Sequence, residues 1–125
     1  MKKLTPVLNV ETIEPVLPGW VDRLGFEKTA EVPHEDALGF VILKQGSVEI
    51  MYQTRASVEA DLGSDAGIPL GGTSLFIEVD DLDDVERRLD GVQHVIPRRK
   101  TFYGADEIVV REPAGNLVIF AHFDG

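Results

Sequence analysis

The chain of 125 residues carries 22 acidic against 12 basic side chains, a formal net charge of −10, and no cysteine. Disulfides, thiolate nucleophiles and thiolate metal sites are thereby excluded, and the acidic balance argues against nucleic acid as a partner, because a phosphate backbone needs a basic footprint. Apolar residues make up 43% of the chain but never form a run of about 18, so one compact domain without a membrane span is expected.

The opening MKKLTPVLNV has two lysines but no apolar stretch or cleavage site behind them, so no signal peptide is expected and the plain reading is a cytoplasmic protein. Leu4 to Val10 reads as a strand. A helical segment follows from Glu11 to Leu24, with Val16, Trp20 and Leu24 on one stripe and Ile13, Leu17 and Val21 widening it. Pro15 suits a first turn, whereas Pro18 lies deeper than a helix tolerates, so a late start or a bend is expected there. Trp20 is read as core and Gly25 as the stop. Phe26 to Val32, Leu38 to Lys44 and Ser47 to Gln53 read as strands, the last two joined at Gln45-Gly46. His34 falls in the acidic turn Pro33-His34-Glu35-Asp36. Arg55 to Leu62 suits a short helix, and 63–72, rich in glycine, reads as a connector.

The pattern then begins again. Thr73 to Val79 is a strand, and Asp81 can cap a helix whose stripe is Leu82, Val85 and Leu89, with acids in its first turn and Arg87-Arg88 in its last. His94 to Phe102, Ala105 to Glu112 and Asn116 to Phe123 are the remaining strands. The basic cluster Arg98-Arg99-Lys100 is read as a solvated strand or edge. Between the last two strands, Pro113-Ala114-Gly115-Asn116 supplies a preset φ and two residues tolerant of the left-handed region. Val10 and Val79 close equivalent strands 69 residues apart, and Gly46 and Gly115 turn equivalent hairpins at the same interval. Strand, helix and three strands therefore occur twice. The expected organisation is a single domain over 1–125: a first module at 1–63 with its short helix, a connector at 64–72, and a second module at 73–125.

The last hairpin, Tyr103-Gly104 through Glu112-Pro113-Ala114-Gly115-Asn116 to Phe120, resembles that of the vicinal-oxygen-chelate superfamily, which includes glyoxalase I, extradiol dioxygenases, fosfomycin-resistance enzymes and bleomycin-resistance proteins. Val10-Glu11-Thr12-Ile13, Val79-Asp80-Asp81-Leu82 and Asp22-Arg23-Leu24-Gly25-Phe26 fit the same pattern, so the resemblance covers nearly the whole chain. It implies an α+β fold in which two βαβββ modules form one curved, mixed eight-stranded half-barrel with helices outside. It also implies a cavity in which the enzymes of the superfamily hold one divalent metal through the first and last strands of each module. Those positions fall here on Thr5, Ser74, Ile50 and Ile119, none of which is a credible ligand, and a shift of one residue replaces Ile50 by Glu49. His122 lies three residues after Ile119 and so on the opposite strand face; His34 and His94 add no pattern, and no nucleophile elbow occurs.

The resemblance is greatest to the metal-free bleomycin-resistance branch, through Lys3-Leu4-Thr5-Pro6, Asp22 to Phe26 and Arg111 to Asn116. What it implies is a metal-independent protein without a cofactor that binds or sequesters a small molecule, cationic or aromatic, as a homodimer. The lining residues it implies are Thr5, Ser74, Phe76 and Ile119, with Glu49, Met51 and Tyr103 near them. Two alternatives stand beside this one. The first is an enzyme, either a divalent-metal lyase, isomerase or dioxygenase, or one with Glu49 as general base. The second is an interaction subunit with no ligand of its own.

Overall fold

The computed structural model describes residues 1–124, apart from the side chain of residue 66. The chain is α+β and divides into two compact units, Met1–Gly71 and Gly72–Gly125. Each contains a strand, a helical segment and three further strands, and the first adds a short helix after them.

In the first unit the strands are β1 (Val7–Val10), β2 (Glu27–His34), β3 (Ala37–Gln45) and β4 (Val48–Thr54), arranged β1-β4-β3-β2. β1 runs parallel to β4, and the other pairs are antiparallel. Strict alternation fixes the faces of β3 and β4: Val41, Leu43, Ile50 and Tyr52 are buried, while the residues between them are partly exposed. The hairpin between them turns on Gly46-Ser47, with Gly46 at φ +57°, a conformation glycine adopts without strain. His34 ends β2 opposite Ala37, so the acidic turn is shorter than the sequence suggests.

The segment after β1 departs from the expected helix. Glu14–Val16 is a single 3₁₀ turn and Pro18–Arg23 is a π-helix. Pro15 and Pro18 have no N–H to donate and crowd the preceding turn, which breaks a regular i→i−4 ladder. The chain closes instead through wider bonds, such as Leu24 N–H to Gly19 O at 3.1 Å. The apolar stripe survives this change: Ile13, Val16, Trp20 and Leu24 are all buried. Trp20 packs edge-on against Phe26, with ring centroids 4.9 Å apart, and its Nε1–H donates to the Tyr52 hydroxyl at 2.9 Å. That bond places the segment on the Tyr52 face of the sheet. The unit ends with α1 (Arg55–Leu62), capped by the Thr54 hydroxyl accepting from Ser57 N–H at 3.2 Å. The 63–72 stretch contains one further 3₁₀ turn, Ser64–Ala66.

In the second unit β5 (Ser74–Glu78), β6 (His94–Lys100), β7 (Ala105–Arg111) and β8 (Leu117–Phe123) are arranged β5-β8-β7-β6. α2 (Leu82–Arg88) follows β5 and is a regular helix, because its first turn has Asp81 accepting from Asp84 N–H at 3.0 Å and no proline. The last hairpin closes through Glu112, whose side chain accepts from Asn116 N–H at 2.7 Å, while Asn116 Oδ1 accepts from Thr73 N–H at 3.1 Å. Asn116 therefore ties the turn to the start of β5.

Candidate functional site

Each sheet has one face that its helical segment covers and one that it does not. In the first unit the Trp20–Tyr52 bond identifies the covered face, to which Leu8, Val10, Ile50 and Thr54 also belong by register. In the second unit Arg98 identifies it. Arg98 pairs with Asp83 and Glu86 of α2, and its neighbour Arg99 therefore points away from the helix, where it meets Glu107 at 2.9 Å. The expected lining residues sort onto the uncovered faces of the two units.

Thr5, Glu49 and Met51 belong to the first unit. Glu49 accepts from Lys3 Nζ at 2.7 Å and, weakly, from the Thr5 hydroxyl at 3.4 Å. Met51 stands opposite Val7, two residues along the same face. The Lys3 ammonium holds the Glu49 carboxyl below the usual carboxylate range, with Lys44 adding to the effect. Ile50 is not at the expected site position. It is 2% exposed on the helix-covered face, packed with Leu43 and Tyr52. The physical reason is register. The 69-residue period carries the pair Val7–Met51 to Phe76–Phe120, whereas Phe76 stands opposite Ile119. The two parallel pairings differ by one residue, and a slip of one residue exchanges the faces of a strand.

Ser74, Phe76, Ile119 and Tyr103 belong to the second unit. Phe76 and Ile119 are cross-strand neighbours, and Ser74 lies opposite Leu117 at the exposed start of β5. Tyr103 sits in the turn between β6 and β7, where Thr101 accepts from Ala105 N–H through its hydroxyl at 3.0 Å and from Gly104 N–H through its carbonyl at 3.3 Å. The structure adds Phe123 to this group. The Phe76, Tyr103 and Phe123 rings form a triangle with centroids 6.0 to 6.5 Å apart, and Phe102 meets Tyr103 edge-on at 5.0 Å. All four rings are exposed, Phe76 at 50% and Phe102 completely.

Glu107 and Arg99 are the residues that sequence reasoning missed. Glu107 is 3% exposed, and its carboxylate accepts from Arg99 on one oxygen and from the Tyr103 hydroxyl on the other. A buried carboxylate stands only with such partners. The hydrogen bond to Glu107, and then loss of hydration, push the Tyr103 phenol above its ordinary pKa. The signal was present as alternation: Glu107 falls in the buried-rich strand Ala105–Arg111 at an uncovered-face position, opposite Ala121.

These residues do not fit the divalent metal that the resemblance implies for enzymes. Such a site needs several oxygen or nitrogen donors converging on one point. Among the described residues no three His, Asp or Glu side chains cluster in that way. Ile119 offers hydrocarbon, Ser74 one hydroxyl, and Glu49 and Glu107 are each held by a cation of the chain itself. His122 lies on the other face of β8, bonded through Nδ1 to the Val79 carbonyl at 2.9 Å, and His94 and His34 are strand termini. A separate cleft of about 430 Å³ lies against the last hairpin, lined by residues such as His94, Arg111 and Pro113 and by none of the expected site residues.

No protein-family model and no curated protein matches the chain. Solved structures do. A lactoylglutathione lyase from Agrobacterium tumefaciens superposes with a TM-score of 0.75 at 17% identity, covering 98% of this chain and 94% of that one. A bleomycin resistance determinant encoded on transposon Tn5 gives 0.73 at 17% identity, with 100% of both chains covered. A bleomycin-binding protein in complex with bleomycin gives 0.70 at 18% identity, covering 99% of this chain and 100% of that one. The chain thus shares its fold with these three proteins. At these identities the likeness is one of fold.

Proposed function

We propose that this chain, built on the vicinal-oxygen-chelate fold, is a metal-independent protein that binds and sequesters a small organic molecule. The carrying observation is the group Phe76, Tyr103 and Phe123, three exposed rings on the face of the second sheet that α2 does not cover. Exposed apolar groups gathered around a few polar atoms describe a small-molecule site, whereas scattered ones do not. Ile119 and Ser74 belong to that same face, and Thr5, Glu49 and Met51 are the candidate ligand-binding residues of the first unit. The bleomycin complex of a protein with the same fold supports a ligand of this kind.

Glu49 does not suit the role of general base. A carboxylate held below its ordinary pKa by an ammonium at 2.7 Å has little driving force to take a proton near neutrality. A homodimer is part of the proposal, since isologous pairs are the commonest closed assembly, and so is a cytoplasmic site of action. No helix among the described residues is long and apolar enough to cross a membrane.

The test is a thermal-shift screen of cationic and neutral aromatic compounds against the full chain, with and without EDTA. At least one compound should raise the midpoint to the same extent in both conditions, and Phe76→Ala should reduce the rise. If no compound moves the midpoint, the chain is an interaction subunit; if the rise vanishes in EDTA, it is a metalloprotein.

A further inference from the structure

One row of residues crosses the uncovered face of the second sheet: Arg99 on β6, Glu107 on β7, Ala121 on β8 and Glu78 on β5, each opposite the next. Strands lie about 4.8 Å apart, so the two carboxylate positions are separated by about 10 Å with only a methyl group between them. Phe76 lies two residues before Glu78, Phe123 two after Ala121, and the Tyr103 ring stands within 6.0 to 6.5 Å of both. The result is a fully buried Ala121 separating two acids, with three exposed aromatic rings beside them.

An organic cation already occupies one end of this arrangement. The Arg99 guanidinium sits on Glu107, which is 3% exposed, while the Arg99 side chain itself is 51% exposed. Glu107 cannot be left without a cationic partner at that depth, but nothing requires the partner to be Arg99. A half-exposed arginine returns to water at little cost once another cation replaces it. Rings around a carboxylate favour alkylated or aromatic cations over hydrated metal ions, because the ring faces attract the charge and the methyl groups lose water. The acidic balance of the chain adds to the local concentration of cations.

We propose that Arg99 is a tethered competitor, and that the Phe76–Tyr103–Phe123 face with Glu107 is a site for an organic ammonium or guanidinium group that enters by displacing it. This rests on the small-molecule reading above and specifies the chemistry of its ligand.

The experiment compares choline with its uncharged isostere 3,3-dimethylbutan-1-ol, titrated into the ¹⁵N-labelled full chain and into Arg99→Gln, following the Ala121 and Glu107 amides. Choline should shift these amides and the isostere should not. Arg99→Gln should bind choline about tenfold more tightly, the effect of removing one competing charge-assisted hydrogen bond. Phe76→Ala should weaken it about fivefold. A gain in affinity cannot arise from a damaged fold, so the Arg99→Gln result stands even if other variants are unstable. Equal shifts by both compounds, unchanged in Arg99→Gln, would overturn the inference and leave the binding reading intact. Silence from choline in both proteins would overturn it as well, and the thermal-shift screen then decides the broader reading separately.

Discussion

On their helix-covered faces the two sheets use the same material. Leu8, Val41, Leu43, Ile50 and Tyr52 are buried in the first unit, and Ile108, Val110, Val118 and Phe120 in the second. On their other faces they differ: the first carries the ion-paired Glu49 beside Met51, and the second carries three exposed rings around a buried Glu107. Even the covering segments differ in hydrogen bonding, a π-helix in one and a regular helix in the other, without any change in what lies beneath. The comparison teaches that the two helix-covered faces are built alike, and that what distinguishes the units lies on their other faces.

The largest effects should therefore come from the covered faces, and equally in both units. Trp20→Ala and Phe120→Ala should each cost about 3–5 kcal/mol in urea unfolding, while Phe76→Ala, half-exposed on the other face, should cost under about 1 kcal/mol. A Phe76→Ala loss as large as that of Phe120→Ala would break the division between the faces. Next in size is Gly39→Ala. A Cβ at Gly39 would approach His34 Cβ to 2.6 Å, and the overpacking should cost about 1–3 kcal/mol by the same measurement.

Two smaller effects sharpen the contrast between the uncovered faces. In the second unit the Tyr103 phenol is raised by Glu107, so its contribution to stability is complete below the ordinary tyrosine pKa and is lost as pH rises through the higher folded value. Glu107→Gln should lower the phenol's midpoint, read by absorbance at alkaline pH. In the first unit Glu49 is lowered by Lys3. Its contribution is present above the ordinary carboxylate pKa and disappears as pH falls through the lower folded value. Lys3→Ala should raise the Glu49 midpoint in a carboxyl-carbon NMR titration and leave the urea midpoint at neutral pH nearly unchanged.

Much of this fold is legible in the sequence because its signals are local and repeated. The Asp81 cap, the α1 span and the Glu112–Asn116 turn each rest on residues close together in the chain, and the interval from Val10 to Val79 repeats the pattern of strands around them. The helix at Glu11 to Leu24 was legible only as an apolar stripe. Trp20 and Val16 indicate which side is buried, while Pro15 and Pro18 change the hydrogen bonding without changing that pattern. The site was less legible because it depends on pairing between strands far apart. The choice between Ile50 and Glu49 needed the β1–β4 register. Arg99 reads as a solvated charge until Glu107 is found opposite it on β7. Phe123 passes as one more apolar residue in a strand until its ring is seen beside Phe76 and Tyr103.

The most direct measurement is an amide map of the ¹⁵N-labelled chain in EDTA, titrated with the strongest compound from the thermal-shift screen. The account predicts shifts centred on Phe76, Tyr103, Glu107, Ile119 and Phe123, with the amides of Trp20 and α2 unmoved. Shifts that vanish in EDTA, or that gather on the helix-covered faces, would contradict it.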